Sequence, residues 1–374
     1  MNNEHELSIL TRKLETYLSG KSKPVTEAIA KLERTGSLLD DYIKPVKDLG
    51  FVRHLADGNV RMNFEYLDEP QAGIMVPTKA SLGLHQNAVS QIGEKFGVPP
   101  AYLRGLTFGT NWEKNLAVTI MQEHASNIAR EKVLIRSVEG EARAVLSDRY
   151  RRLDSMRIFV AFLQGAQQIG SVLVDAHSGE TKGFLEVINP KIVAFDTPLN
   201  GRNYACVGAR IRNSDFGDGR LEVYLFALMV KCMNGLVGQT MLKEIHLGGR
   251  IPENIKISED TYRKDTDAMA ALVGDAMKQL ASPDLTNGLI TQIQDAAAVE
   301  VNLVKEVERL PKLGLTKTEA ESVGKVLMEN NPDNGLQGGA TLWKLVNGLT
   351  AVARESKPER KRELEEIAGA MLVK

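Results

Sequence analysis

Cysteine is nearly absent from this chain: only Cys206 and Cys232 occur, and they do not form a Cys-x-x-Cys pair. A disulfide framework is thereby excluded, no structural zinc is expected, and a reducing cytoplasm is the simplest setting. Long apolar runs are also missing. The longest, Val223 to Val230, is interrupted by Tyr224 and falls far short of the roughly 20 residues that span a bilayer. The start, Met-Asn-Asn-Glu-His-Glu, is polar and acidic, unlike a secretory leader, so no membrane partner is expected. Charge of one sign is lacking too. Lys and Arg number 47 against 48 Asp and Glu, so the whole molecule is no polyanion binder and any nucleic-acid surface must be a local patch.

Signatures of catalysis are equally scarce. The nearest approach to a phosphate-binding loop is Gly20-Lys21-Ser22, without the upstream glycine. There is no His-Glu-x-x-His and no Gly-x-Ser-x-Gly. The six histidines are scattered without metal-ligand spacing. No enzyme, cofactor or metal is expected on these grounds.

A hydrophobic share of 43% with 25% charged residues marks a chain that folds. At 374 residues it exceeds the roughly 250 to 300 at which a single core stops growing, so two or three units are expected. The pattern divides into an N-terminal helical arm (1–57), a central α+β domain (58–255) and a C-terminal helical region (256–374). In the arm, Leu7, Leu10, Leu14 and Leu18 share a helical face, and Pro24 and Pro45 punctuate short helices. Val60 to Leu67 and Gly73 to Pro77 read as strands. Residues 84–106 then have helix-turn-helix spacing, with Gly97 at the turn and Pro99 and Pro100 opening the second helix. Most such hairpins are packing units, and DNA contact is the minority reading. Thr110 and Glu113 have capping-box spacing before a helix that places Trp112, Leu116 and Ile120 on one face, with Trp112 in the core.

From about 130 the period changes to two. KVLIRSV and EARAVLS flank Glu139-Gly140 as a hairpin, and Asp154 caps a helix from Ser155 to about Gln168. Strands follow at Ser171 to Asp175, Gly183 to Asn189, Asn203 to Arg212 and Leu221 to Val230. From about Ser258 the chain is helical again, broken at Pro283, Pro311 and Pro332, and ESKPERKRELEE reads as a solvated helix. The fold class is therefore α+β: a central antiparallel or mixed sheet built as hairpin, helix and meander, flanked by helical ends.

Arginines supply the candidate site. A two-residue hairpin loop would set Arg136 across from Arg143, with Val133, Ile135, Ala144 and Leu146 on the opposite, core-facing side. Like charges so placed are tolerated in solvent and useful against phosphates. The same alternation in YACVGARIRN puts Arg210 and Arg212 on one face and Ala205, Val207, Ala209 and Ile211 on the other. In SDRYRRLD, Arg149, Arg151 and Arg152 bracket Tyr150, an aromatic able to stack on a base. Two readings stay open: solvated ion pairs with Asp148 and Asp154, or a nucleic-acid surface made of Arg136, Arg143, Arg149, Tyr150, Arg151, Arg152, Arg210 and Arg212. Two weaker patterns stand beside these. Asp175, Glu180 and Lys182 resemble a magnesium nuclease set but are spaced too tightly, and NSDFGDGRLE resembles a calcium loop with Gly217 where a ligand is needed.

The blocks RAVLSDRYRRLD, RIRNSDFGDGRLEV, KCMNGLVG, FGVPPAYLRGL and TLWKLVNGLT together resemble the phage/plasmid-like protein family, domain of unknown function 932, over roughly residues 80 to 350. Ser155 after Asp154 and Val346 in the last block depart from its pattern. The resemblance implies a mobile-element setting and no defined reaction. The order of hairpin, helix and meander is also similar to phage single-strand annealing recombinases, by topology alone. The expected function is accordingly nucleic-acid binding, of single-stranded DNA with or without annealing, by a homo-oligomer in the host cytoplasm. The alternatives are a structural or protein-interaction factor of a mobile element, and a magnesium-dependent nuclease using Asp175 and Glu180.

Overall fold

The computed structural model describes residues 3–68, 76–128, 131–199, 201–244, 246, 258–331 and 334–372. The chain opens with one long helix, α1 (Asn3–Ser37), which runs unbroken through Pro24. A proline inside a helix costs about 3 kcal/mol through a lost hydrogen bond and a steric clash. Packing on both sides of Pro24 offsets this. Leu10 and Leu14 belong to one apolar cluster with Val174 and Tyr204, while Leu32 joins another with Phe159 and Leu185.

Residues 39–53, read above as part of a helical arm, are two strands joined by a 3-10 turn at Val46–Asp48. β1 (Leu39–Pro45) and β2 (Gly50–Arg53) join β3 (Val60–Asp68) and β4 (Val76–Leu84); the expected strand residues 73–75 lie outside the described ones. Three helices follow, α2 (Gln86–Phe96), α3 (Pro100–Thr107) and α4 (Asn111–Asn127), then the hairpin β5 (Lys132–Val138) and β6 (Glu141–Ser147). The six strands form a mixed sheet in the order β1-β5-β6-β4-β3-β2, with β4 and β6 parallel. β1 pairs with β5, as in Tyr42 opposite Ile135, a partner too distant in sequence for local pattern to reveal. The α2–α3 hairpin matches its sequence signature: Gly97 ends α2 in the left-handed region and Pro100 opens α3. It packs on the sheet, with Ile92 and Leu103 in the core beside Val133 and Ile135.

Trp112 is corrected from core to surface: it is 65% exposed. α4 turns Ala117, Met121 and Ala125 inward at four-residue steps, which leaves the first-turn tryptophan outside.

The second half contains α5 (Ser155–Gln168), β7 (Val172–Ser178), β8 (Gly183–Ile188), β9 (Val193–Thr197), β10 (Gly201–Asn213), β11 (Leu221–Met229) and β12 (Asn234–Glu244). These strands form an antiparallel sheet, β12-β11-β10-β8-β7, with β9 paired to the start of β10. The helices α6 (Glu259–Gln279), α7 (Pro283–Ala298), α8 (Leu303–Arg309), α9 (Lys317–Glu329), α10 (Leu342–Arg354) and α11 (Pro358–Met371) complete the chain. Pro283 opens α7 and Pro311 sits in a 3-10 turn, while Pro332 and the expected boundary at 255–256 lie outside the described residues.

The alternation expected of β10 is observed. Ala205, Val207, Ala209 and Ile211 enter the main core with α5, α6, α7 and α10. The opposite face is apolar at Tyr204 and Cys206, against α1, and charged at Arg210 and Arg212, against α11. α11, expected to be solvated, instead buries Arg362, Leu364, Glu365 and Ala368. Gly369 allows it to seat on β12, because a Cβ there would lie 1.7 Å from the Val237 carbonyl oxygen. The fold is thus mixed and antiparallel sheet flanked by N- and C-terminal helical regions, with two sheets instead of one. Among the described residues no helix is long and apolar enough to cross a membrane.

Candidate functional site

The hairpin that carries Arg136 and Arg143 contains a β-bulge. Arg136 pairs with Ala144 and Ser137 with Ala142, so Arg143 is the extra residue and the expected opposed pair does not form. The bulge shifts the register by one, which moves every later side chain to the other face. Ala144 and Leu146 accordingly lie in a cluster with Leu134, while Val145 joins Val133 and Ile135. Arg136 falls on the Ala144 side and is 1% exposed. Its Nε donates to Asp41 Oδ1 and its Nη1 to the Asp215 carbonyl, both at 2.8 Å, and its Nη2 reaches Asp41 and Asp154 at 3.3 Å. Arg152, also buried, pairs with the same Asp41 at 3.2 Å and lies over the Tyr262 ring.

The neighbouring residues are similarly engaged. Tyr150 is buried, donates to the Ser214 carbonyl at 3.1 Å and stacks on His246, with ring centroids 5.1 Å apart. His246 Nε2 meets Asn213 Oδ1 at 2.9 Å, and burial pushes the imidazole pKa down to about 4. Arg151 clamps Asp265 with two nitrogens at 2.6 and 2.7 Å and also pairs with Glu244. Arg143 donates to the Glu180 carbonyl at 3.1 Å. Arg210, 0% exposed, donates to Glu186 at 2.9 Å and to Glu365, and Arg212 donates to Glu222 and Glu366. Of the eight candidates, Arg149 alone is exposed without a side-chain partner among the described residues.

The arginine-lined groove is therefore corrected. Arg136, Tyr150 and Arg152 lie in or beside a knot around Asp41, Asp154 and Asp215, Arg210 and Arg212 in a charged layer beneath α11, and Arg143, Arg149 and Arg151 in neither. Carboxylates already hold the positions that phosphates were expected to take. Asp154 starts α5 without capping it; Asp215 Oδ1 accepts from the Ser155 N–H and hydroxyl, both at 2.9 Å. The nuclease set is dispersed: Asp175 faces Lys361 and Arg362, Glu180 bonds His85 at 2.9 Å, and Lys182 faces Asp218. No group of three or more His, Cys, Asp or Glu able to hold a metal occurs among the described residues.

A different feature emerges where α1 crosses the second sheet. Tyr17, Lys21, Pro24, Ala28 and Lys31 recur at steps of four and three, one helical stripe. That stripe forms a wall of a cleft of about 490 Å³ whose other walls are β7, the end of α10 and the first turn of α11. Lys21, Lys31, Arg354, Lys361 and Arg362 line it, against the carboxylates Glu27 and Asp175. Lys361 stays charged: burial alone would lower its pKa, but Glu186, Glu365 and Asp175 raise it. Asp175 is held below the usual carboxylate range because Lys361 and Arg362 outweigh its burial. Lys21 lies over the Tyr17 ring at 5.5 Å, and burial raises that phenol pKa to about 12. Lys31 is exposed and makes no ion pair among the described residues.

Reading the arginine clusters overlooked this lysine stripe, although its helical spacing is present in the sequence. The α11 half carried a weaker signal, the charge-rich segment itself. No family model, curated protein or solved structure matches the chain. The resemblance to the phage/plasmid-like family thus rests on the quoted blocks alone.

Proposed function

We propose that this chain binds the phosphate backbone of a single-stranded nucleic acid along the cleft between α1 and α11, and acts as a binding protein without catalysis. One observation carries this reading: five cations from α1, α10 and α11 meet two carboxylates in one cleft of a chain whose net charge is −1. Lysine ammonium groups are point charges suited to sequence-independent phosphate contact. Tyr17, beside Lys21, adds a ring on which a base can stack. The buried arginines shape the cleft by anchoring α11. A mobile-element role, a cytoplasmic setting and homo-oligomeric assembly belong to the same proposal, supported in turn by the motif resemblance, by the scarcity of cysteine and by the topological likeness to annealing recombinases.

Fluorescence polarisation of a labelled oligothymidylate across a salt series tests it. Engagement of three phosphates would give a slope of log K against log salt of about −2. Absence of binding at low salt, or binding indifferent to Lys21→Ala with Lys31→Ala, refutes the proposal.

A second reading, a protein-interaction factor, is favoured by the exposed aromatics Tyr102, Phe108 and Trp112 around the α3–α4 turn. Self-association that is abolished by Trp112→Ser and unaffected by oligonucleotide, measured by light scattering, would select it.

A further inference from the structure

The α2–α3 hairpin and the start of α4 present a surface that the lysine cleft does not use. Tyr102, Gly105 and Phe108 follow at three-residue steps along the outer side of α3, away from the core residues Leu103 and Leu106. Tyr102 is 52% and Phe108 48% exposed, while a Cβ at Gly105 would meet no atom within 4 Å. Two aromatic residues therefore flank a gap that no side chain fills. Gly109 keeps the next turn tight, since a Cβ there would lie 2.8 Å from the Gly105 carbonyl oxygen, and Trp112 projects into solvent just beyond it. The β2–β3 loop rests on the same turn of α4: a Cβ at Gly58 would lie 3.7 Å from Asn111 Oδ1, and Leu55 of that loop is 93% exposed.

Three cations lie among these side chains, each held by a neutral group. Arg53 Nε donates to Asn115 Oδ1 at 2.9 Å, Arg104 Nη1 to Ser90 Oγ at 2.6 Å and Lys114 Nζ to Asn59 Oδ1 at 3.2 Å. Arg104 precedes Phe108 by four residues, and Asn115, which holds Arg53, follows Trp112 by three, so each cation sits beside an exposed ring. The carboxylates of the same turn and loop are committed elsewhere. Glu113 accepts from the Thr110 N–H and hydroxyl, and Asp57 from Arg61 and the Asn59 N–H.

We infer that this face docks a short acidic segment of a partner protein, with an apolar side chain seated at Gly105 between Tyr102 and Phe108 and carboxylates set against Arg104, Arg53 and Lys114. Trp, Tyr and Arg carry most of the binding energy at protein interfaces, and cations without carboxylate partners favour an anionic one. A nucleic-acid strand needs a track of cations for successive phosphates, which the lysine cleft supplies and three separate cations do not. The inference deepens the protein-interaction reading of these aromatics by naming the partner's chemistry, and it stands apart from the lysine cleft.

Selection of a random dodecapeptide display library on the full chain, followed by fluorescence anisotropy of the enriched peptide in labelled synthetic form, tests it. Enriched sequences should combine Asp and Glu with Phe, Leu or Trp, and the peptide should bind saturably. Gly105→Leu fills the gap with a better helix former, so it should melt no lower than wild type and weaken the peptide about tenfold or more. Arg104→Glu should weaken it by a similar factor, whereas Lys21→Ala with Lys31→Ala should leave it unchanged. Enrichment without an acidic excess, or undiminished binding by Gly105→Leu, overturns the inference. So does displacement of the peptide by oligothymidylate, which would make the face a nucleic-acid surface, or loss of the peptide with the two lysines, which would place it in the cleft. Self-association abolished by Gly105→Leu would assign the face to a second copy of this chain and overturn it equally.

Discussion

Arg136 and Arg210 are both fully buried strand arginines, and they differ in one respect. Every guanidinium nitrogen of Arg136 finds an acceptor, supplied by Asp41, Asp154 and the Asp215 carbonyl. Arg210 is held by Glu186 and Glu365 but leaves Nη1 unanswered beside a cavity. The first is a closed knot that ties β1, β5 and the start of α5 together. The second leaves one nitrogen of the charged layer under α11 without an acceptor among the described residues. Burial and charge alone do not distinguish them; the count of acceptors does.

The largest expected effect breaks the closed knot. Arg136→Ala would remove the cation shared by Asp41 and Asp154 and the donor to the Asp215 carbonyl, leaving Asp41 with Arg152, and should lower stability by about 3 to 5 kcal/mol in urea denaturation. A loss below about 1 kcal/mol would show that these carboxylates do not depend on it.

Next is acid. His246, stacked on Tyr150 beside the knot, has its pKa pushed down to about 4 by burial, from an ordinary value of about 6.5. Because the unfolded chain binds this proton more readily, stability is intact above pH 6.5 and is lost as pH falls towards 4. The loss is on the order of 3 kcal/mol. Denaturation midpoints of the wild type should decline across that window, and those of His246→Gln should stay flat between pH 6.5 and 5. Equal decline in both would assign the acid sensitivity to other groups.

A smaller change concerns the lysine cleft. Lys21→Ala with Lys31→Ala should weaken oligonucleotide binding about tenfold and flatten the salt slope by about 1.4, for two lost phosphate contacts. Thermal stability should hardly move, since neither lysine has an ion pair among the described residues. The smallest effect is expected of Arg149→Ala, within about 0.5 kcal/mol of wild type, because this exposed side chain has no partner among the described residues. A larger change would reveal a contact that its exposure does not suggest.

Much of the fold was legible in local pattern. The Glu139-Gly140 hairpin, the helix from Ser155 to Gln168, the Gly97 and Pro100 hairpin and the alternation of β10 all follow from turn chemistry and periodicity. β1 was not legible, because its pairing partner is distant in the chain. Nor was the bulge at Arg143, which inverted half of a hairpin whose limits were correctly read. The candidate site fared worse for one physical reason: a run of arginines states the charge available and leaves open which carboxylates will meet it. Asp41, Asp215, Glu186 and Glu365 approach those arginines only after the sheets and α11 have assembled.

By itself the sequence determined the elements, their faces and the alternation of charge with apolar side chains, since these depend on backbone periods of two and 3.6 residues. Only the tertiary structure decided which cations are neutralised within the fold and which face an open cleft. Pairing depends on distances of a few ångströms between segments far apart in the chain, and on burial that makes each unanswered donor costly.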